Sequence, residues 1–190
     1  MNDTGSASRD QRTKTLVKVY PFGILLVSLL LNQFVLGVAP LLVALPSTEL
    51  ITFVAIAVVL LVVNHSWLMT TTELTRIRFN MHATPEEWEA SDDRPENVSK
   101  EGWQALERHH NAHRNATENT VYFAVLVAVF VLVSPPVLAA AVWILGFAIG
   151  RVGHTFGFLT GNTSLRGLFM SVSLIAMYGM ASYLVLALVS

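Results

Sequence analysis

The chain has 190 residues, of which 53% are hydrophobic and 13% charged, about half the charged share of an ordinary soluble domain. A formal net charge of −1 says little by itself, the placement of the basic residues says more, and no nucleic-acid partner is expected. The chain contains no cysteine, so disulfides, catalytic thiolates of its own and cysteine-bound metal are excluded.

The charges are segregated. Residues 19–48, 50–72, 119–150 and 167–190 contain no Asp, Glu, Lys or Arg. A helix needs about 20 apolar residues to cross the hydrocarbon core. Each run is long enough for one span and the third for two, so the sequence describes an all-α, multi-pass integral membrane protein.

In chain order, residues 1–15 read as a flexible polar tail, and residues 1–18 as a cytoplasmic extension before the first span. That span, within 19–45, is too long for a signal-peptide core and has no small-residue cleavage site, so it is expected to be retained. Pro40 and Pro46 mark its frayed end. Ser47, Thr48 and Glu49 have the chemistry of a helix start, opening a second helix that continues to Arg78. Thr84-Pro85-Glu86-Glu87 pairs a capping hydroxyl with proline at the first helical position, and 91–99 reads as an exposed acidic loop. A third helix starts near Gly102 and ends at Ser134-Pro135-Pro136. A fourth spans 137–159, a fifth runs from Arg166 to the C-terminus, and 161–164 forms the link between them.

With five spans, the N-terminal tail, 73–118 and 151–166 share one side of the membrane. These segments contain four, six and two Lys or Arg, which is all twelve. The positive-inside rule therefore puts the N-terminus and this polar end in the cytoplasm, at a bacterial inner membrane or an endomembrane.

The most informative stretch is 106–122, at the mouth of the third span. On a helical wheel, Glu107, Arg108, Asn111, Arg114, Asn115, Glu118 and Tyr122 fall within an arc of roughly 120°. Charges entering lipid normally meet partner charges, a wet cavity or a polar ligand. Arg76 and Arg78, and Arg151, His154 and Arg166, lie at the same membrane level. Arginine clamps carboxylates, while Asn and Glu read amide and ammonium groups. The cluster thus suits a small, anionic, peptide-like ligand. Taken by themselves, the same residues also fit intramembrane ion pairs, such as Arg108 with Glu118 of a neighbouring copy, and Arg166 fits a snorkelling anchor. His109 and His113 have the i, i+4 spacing of metal ligands but point away from the arc, and no carboxylate cluster completes a ligand set. Asn64 and His65 read as interhelical contacts, and Gly146, Gly150, Gly153 and Gly157 as a close-packing seam.

Glu107-Arg108, Ala112-His113-Arg114-Asn115 and Glu118 resemble the E-R-x-x-x-A-H-x-N-x-x-E signature of the MAPEG family, membrane-associated proteins of eicosanoid and glutathione metabolism. The similarity extends to Arg76–Phe79, Pro85-Glu86-Glu87, Gly150–Thr155 and Arg166, and covers about residues 50–190. It implies a MAPEG-like four-helix bundle over 49–190, preceded by an extra transmembrane helix over 19–48, and assembled as a homotrimer with glutathione at each subunit interface. It further implies that Arg76, Arg114, Asn115, Glu118, Tyr122, His154 and Phe158 bind glutathione as a thiol co-substrate, and that Arg166 is catalytic, stabilising the thiolate. The expected activity is a membrane-bound transferase or peroxidase acting on lipophilic electrophiles or lipid hydroperoxides that arrive through the lipid. A non-catalytic lipid-binding or scaffolding protein of the same fold is the alternative. Phe158 stands where the family commonly has tyrosine, Gly167 where a prostaglandin-synthesising branch has serine, and Asn111 where arginine is frequent. These departures favour a general transferase or peroxidase over a prostaglandin synthase.

Overall fold

The computed structural model describes residues 3–190, with side chains from residue 11 onward. Five long helices among the described residues are apolar enough to cross a membrane. These are α1 (Asp3–Leu31), α2 (Thr48–Arg78), α4 (Lys100–Leu132), α5 (Val137–Leu159) and α6 (Thr163–Val189). A short α3 (Pro85–Glu89) sits in the polar connection between α2 and α4.

The starts follow the capping chemistry of the sequence. Ser47 accepts from the Leu50 N–H, Ser99 from Gly102 and Asn162 from Leu165, each satisfying a donor that the first turn leaves unpaired. Thr84 and Glu87 form the reciprocal capping box of α3. α6 consequently begins at Thr163, three residues before Arg166. A left-handed Gly161 (φ +68°) reverses the chain between α5 and α6, a conformation that favours glycine.

Two expectations about the N-terminal region change. Where composition suggests a flexible tail over 1–15, the described backbone is helical from Asp3 and continuous with the first span. Once a helix is nucleated, each added residue gains a hydrogen bond, and no proline intervenes before Pro21. The first span also does not continue to 45. It ends in a π turn at Asn32–Leu36, and Gly37 (φ +78°) turns the chain out of the helix. Pro40 and Pro46 therefore lie in an extended strap over 37–47. The strap caps the far end of the bundle: Leu41 N–H donates to the Ala187 carbonyl at 3.2 Å and Ala44 N–H to that of Leu132 at 3.0 Å. Both acceptors are last-turn carbonyls that their own helices cannot satisfy.

α2, α4, α5 and α6 enclose the apolar core around Phe123, Phe130, Trp143, Phe147, Met180 and Tyr183. The Phe123 and Phe147 rings stack 4.1 Å apart. α5 and α6 run antiparallel and close together along the glycine seam. A Cβ on Gly150 would stand 2.7 Å from the Ser173 backbone nitrogen, and one on Gly157 would stand 2.5 Å from that of Arg166. Gly146 is less demanding, since its Cβ would meet only Ala176 at 3.7 Å.

The extra helix α1 runs parallel to α6 and is held by polar contacts. Tyr20 bonds Ser171 at 2.8 Å, Ser28 donates to the Ile175 carbonyl at 3.0 Å, and the fully buried Asn32 makes three bonds. Its Nδ2 donates to Gly179 O (2.8 Å) and Ser182 Oγ (2.9 Å), and its Oδ1 accepts from Trp143 Nε1 at 2.9 Å.

Two predictions follow from this packing. Gly150→Ala should destabilise the detergent-solubilised protein by about 1–3 kcal/mol because backbone blocks the added methyl, whereas Gly146→Ala should leave the thermal midpoint unchanged or slightly raised. Asn32→Leu should weaken α1 docking by about 1–2 kcal/mol, read as faster proteolysis within residues 11–20 while 50–190 stays protected.

Candidate functional site

α4 has two polar sides, and the fold uses them differently. The histidine side faces α2. His109 Nε2 lies 3.0 Å from Thr75 Oγ1, His110 Nε2 lies 3.3 Å from an Arg76 guanidinium nitrogen, and the His113 ring meets His65 edge-on at 5.9 Å. Arg76 is also paired with Glu73 on its own helix. These histidines serve α2–α4 packing, and no group of three metal-ligating side chains forms among the described residues.

The other side of α4 is the arc singled out in the sequence. Most of it faces away from the protomer: Glu107, Arg108, Arg114, Glu118 and Tyr122 are exposed. Arg114 bonds Asn111 one turn back on α4. Arg108 reaches the α5–α6 turn, with Nη1 3.6 Å from the place a Gly161 Cβ would take.

Asn115 is the exception and turns inward. Its Oδ1 accepts from Arg151 Nη2 at 2.6 Å, and the same nitrogen lies 3.0 Å from His154 Nδ1. Arg151 Nη1 donates to Met170 Sδ at 3.7 Å, which brings in α6. Guanidinium is donor-only, so His154 Nδ1 must be the acceptor and a neutral His154 carries its proton on Nε2. From His154 the contacts run on: its ring meets Phe158 edge-on at 5.0 Å, and the Arg166 guanidinium lies 5.0 Å over the Phe158 ring. Gly157 permits this last approach, since a side chain there would strike the Arg166 backbone.

Arg151 is fully buried, and among the described residues no carboxylate pairs with it. Its partners are an amide, an imidazole and a thioether, and its Nε has none. A buried cation without a counterion is strongly unfavourable and raises the affinity of its surroundings for an anion.

One protomer thus joins Asn115, His154, Phe158 and Arg166 across α4, α5 and α6. Arg76 stands apart on α2, and Arg114, Glu118 and Tyr122 point outward from α4. Arg151 belongs to the linkage although the resemblance does not assign it a ligand role. Its signal was present in the sequence, as the single charge within the fourth span, three residues before His154. The Arg166 end is open in the protomer. A cavity of about 560 Å³ lies elsewhere, between α2 and α4, and does not border Arg166.

Comparison with known proteins adds a match of the MAPEG family model to residues 51–186. That stretch covers nearly all of α2 to α6 and leaves α1, the whole strap and the first turn of α2 outside. No curated protein matches the chain. The extent of the family match, together with the membrane-capable helices and the arginine-rich end of the bundle, places this chain in the MAPEG family, integral membrane proteins of eicosanoid and glutathione metabolism.

Proposed function

We propose that the protein is a glutathione-dependent transferase or peroxidase that acts at the charged end of its bundle. The observation that carries this reading is the buried, uncompensated Arg151 guanidinium and its linkage through His154 and Phe158 to Arg166. The unpaired guanidinium makes its immediate surroundings positive, and a free thiol with a pKa of about 8.5 ionises more readily beside guanidinium. With all twelve Lys and Arg assigned to this end, it faces the cytoplasm.

The ligand set is divided between two surfaces, and this division supports a site between copies. The outward Arg114, Glu118 and Tyr122 of one subunit would meet the Arg166 end of the next in a homotrimer. Between them, Arg76, Arg114, Asn115 and His154 offer donors for the two carboxylates and the peptide groups of glutathione, and Glu118 offers an acceptor for its ammonium. Arg166 holds the sulfur as thiolate after its proton has passed to water. In transfer, the thiolate attacks an electrophilic carbon, a carbon–sulfur bond forms and the leaving group departs with its electron pair. In peroxide reduction, two glutathiones become the disulfide while a lipid hydroperoxide becomes an alcohol and water. Phe158 packs beneath Arg166 and supplies no hydroxyl, so the guanidinium carries the thiolate stabilisation here.

Glutathione should bind the detergent-solubilised protein by isothermal titration and conjugate a chlorodinitrobenzene-type electrophile. Arg166→Ala should abolish the ultraviolet band of bound thiolate and lower kcat at least 100-fold, the scale of removing one preorganised charge-stabilising group, while the assembly persists. Normal turnover in that variant would remove Arg166 from the mechanism. Absence of glutathione binding at millimolar concentration would favour the non-catalytic, lipid-binding alternative. Arg151→Met should weaken glutathione binding through misplacement of Asn115 and His154 and leave turnover at saturating thiol less affected.

A further inference from the structure

α1 lies outside the family match, and its Tyr20 is tied to the residue that follows Arg166. Ser171 Oγ donates to the Gly167 carbonyl at 3.0 Å, which commits its one proton. The Tyr20 hydroxyl, 2.8 Å away, is therefore the donor to Ser171. These two bonds hold the Tyr20 ring beside α6, one helical turn beyond Gly167.

Gly167 itself is not explained by the fold. Its backbone is ordinary helix, and a Cβ there would meet nothing within 4 Å. Gly153 and Gly157 on the facing helix, by contrast, are required by close contact. A glycine inside a helix costs stability relative to alanine, and here neither backbone conformation nor packing within the protomer accounts for it. What it provides is a recess in the surface of α6 next to Arg166.

The position of that recess follows from helical geometry. Ser171 and Ser182 face α1, and Phe169 and Ser173 face α5. Arg166 and Gly167 fall between these two sides about 100° apart, Arg166 towards α5 and Gly167 towards α1. In the homotrimer proposed above, the neighbouring subunit meets the Arg166 end, so the recess lies between that subunit and α1. Along α6, Ser171 is about 7.5 Å past Arg166 by helical rise, a span that admits one alkyl chain or one ring. Residues 167–190 contain no Asp, Glu, Lys or Arg, so the flank that continues into the membrane carries no charge.

We propose that the recess over Gly167 seats the reacting end of the lipophilic co-substrate and that Tyr20 forms its far wall, restricting the reaction to electrophiles with a single ring or a single unbranched chain. This assignment rests on the glutathione reading and adds to it a residue from outside the family match. Tyr20 is a specificity-determining residue: it limits what reaches the thiolate held by Arg166 and takes no part in the bond changes. With an enone, the thiolate adds to the β-carbon, and the resulting enolate takes a proton from water, so no leaving group is formed.

The test uses the full chain in phosphatidylcholine nanodiscs with saturating glutathione and two enones, benzylideneacetone with one ring and its pyrenyl counterpart. The unaltered protein should favour the single-ring enone about tenfold in kcat/KM, a scale that pocket shape can supply. Tyr20→Ala should remove most of that preference by admitting the pyrenyl compound, and Tyr20→Phe, which keeps the ring, should retain it. Gly167→Leu should raise KM for both enones about tenfold, while glutathione titration and the thiolate band stay unchanged. Because the chain has no cysteine, Gly167→Cys supplies a second readout that needs no glutathione. N-phenylmaleimide should label the introduced thiol, and N-pyrenylmaleimide should label it slowly unless Tyr20→Ala is added. An unreactive thiol in the intact assembly would show that the neighbouring subunit seals the recess and would overturn the proposal. So would an unchanged enone preference in Tyr20→Ala, or an unchanged KM in Gly167→Leu. Glutathione failing to bind while maleimide labelling stays size-selective would sink the thiol reading and leave the recess and its Tyr20 wall standing.

Discussion

A guanidinium held inside an apolar helix bundle sets the terms for the rest of this molecule. Arg151 sits where neither water nor a carboxylate among the described residues reaches it. Its charge is distributed instead onto Asn115 of α4, His154 of α5 and Met170 of α6. Hydrogen bonds from a cation are stronger than neutral ones, so these contacts draw three helices to one depth. They also fix the His154 tautomer and pull Asn115 out of the otherwise outward-facing arc.

The reach of Arg151 extends to Arg166 only because α5 and α6 touch backbone to backbone. Lipid tails are as apolar as leucine side chains, so membrane helices gain little by hiding hydrophobic surface from each other and associate through close packing and polar bonds. Gly150 and Gly157 provide that closeness, and Gly157 does so at the residue that bears the candidate catalytic guanidinium. Packing and proposed chemistry are therefore coupled at one position: whatever separates the helices at Gly157 also moves Arg166.

The segment outside the family match is integrated into the fold. α1 follows α6 in parallel through Tyr20, Ser28 and Asn32. The strap then crosses the far end to satisfy carbonyls of α6 and α4. Polar groups buried in lipid need partners inside the protein, and this arrangement gives them to both α1 and the ends of α4 and α6. Asn64 stands out against that background, as an amide in the α2–α4 wall with no bond to any described residue.

Much was legible from residues alone. Apolar run length announced the spans, because a bilayer imposes a length on whatever crosses it. Ser47, Thr84 and the Ser134-Pro135-Pro136 turn announced their boundaries, because capping and φ restriction are local effects. The glycine spacing foretold a tight seam, and the signature around Arg114 foretold the family. The end of α1 at the π turn was not legible to the residue, since the residues after it are as apolar as those before it; Asn32 finding Gly179, Ser182 and Trp143 anchors the turn, and Gly37 then takes the chain out of the helix. The split of the arc was equally hidden: a helical wheel puts Asn115 beside Arg114, yet one faces Arg151 and the other faces outward. A periodic pattern states which residues share a face of their own helix. Which neighbour that face meets depends on contacts between segments far apart in the chain, and those arise only when the helices pack.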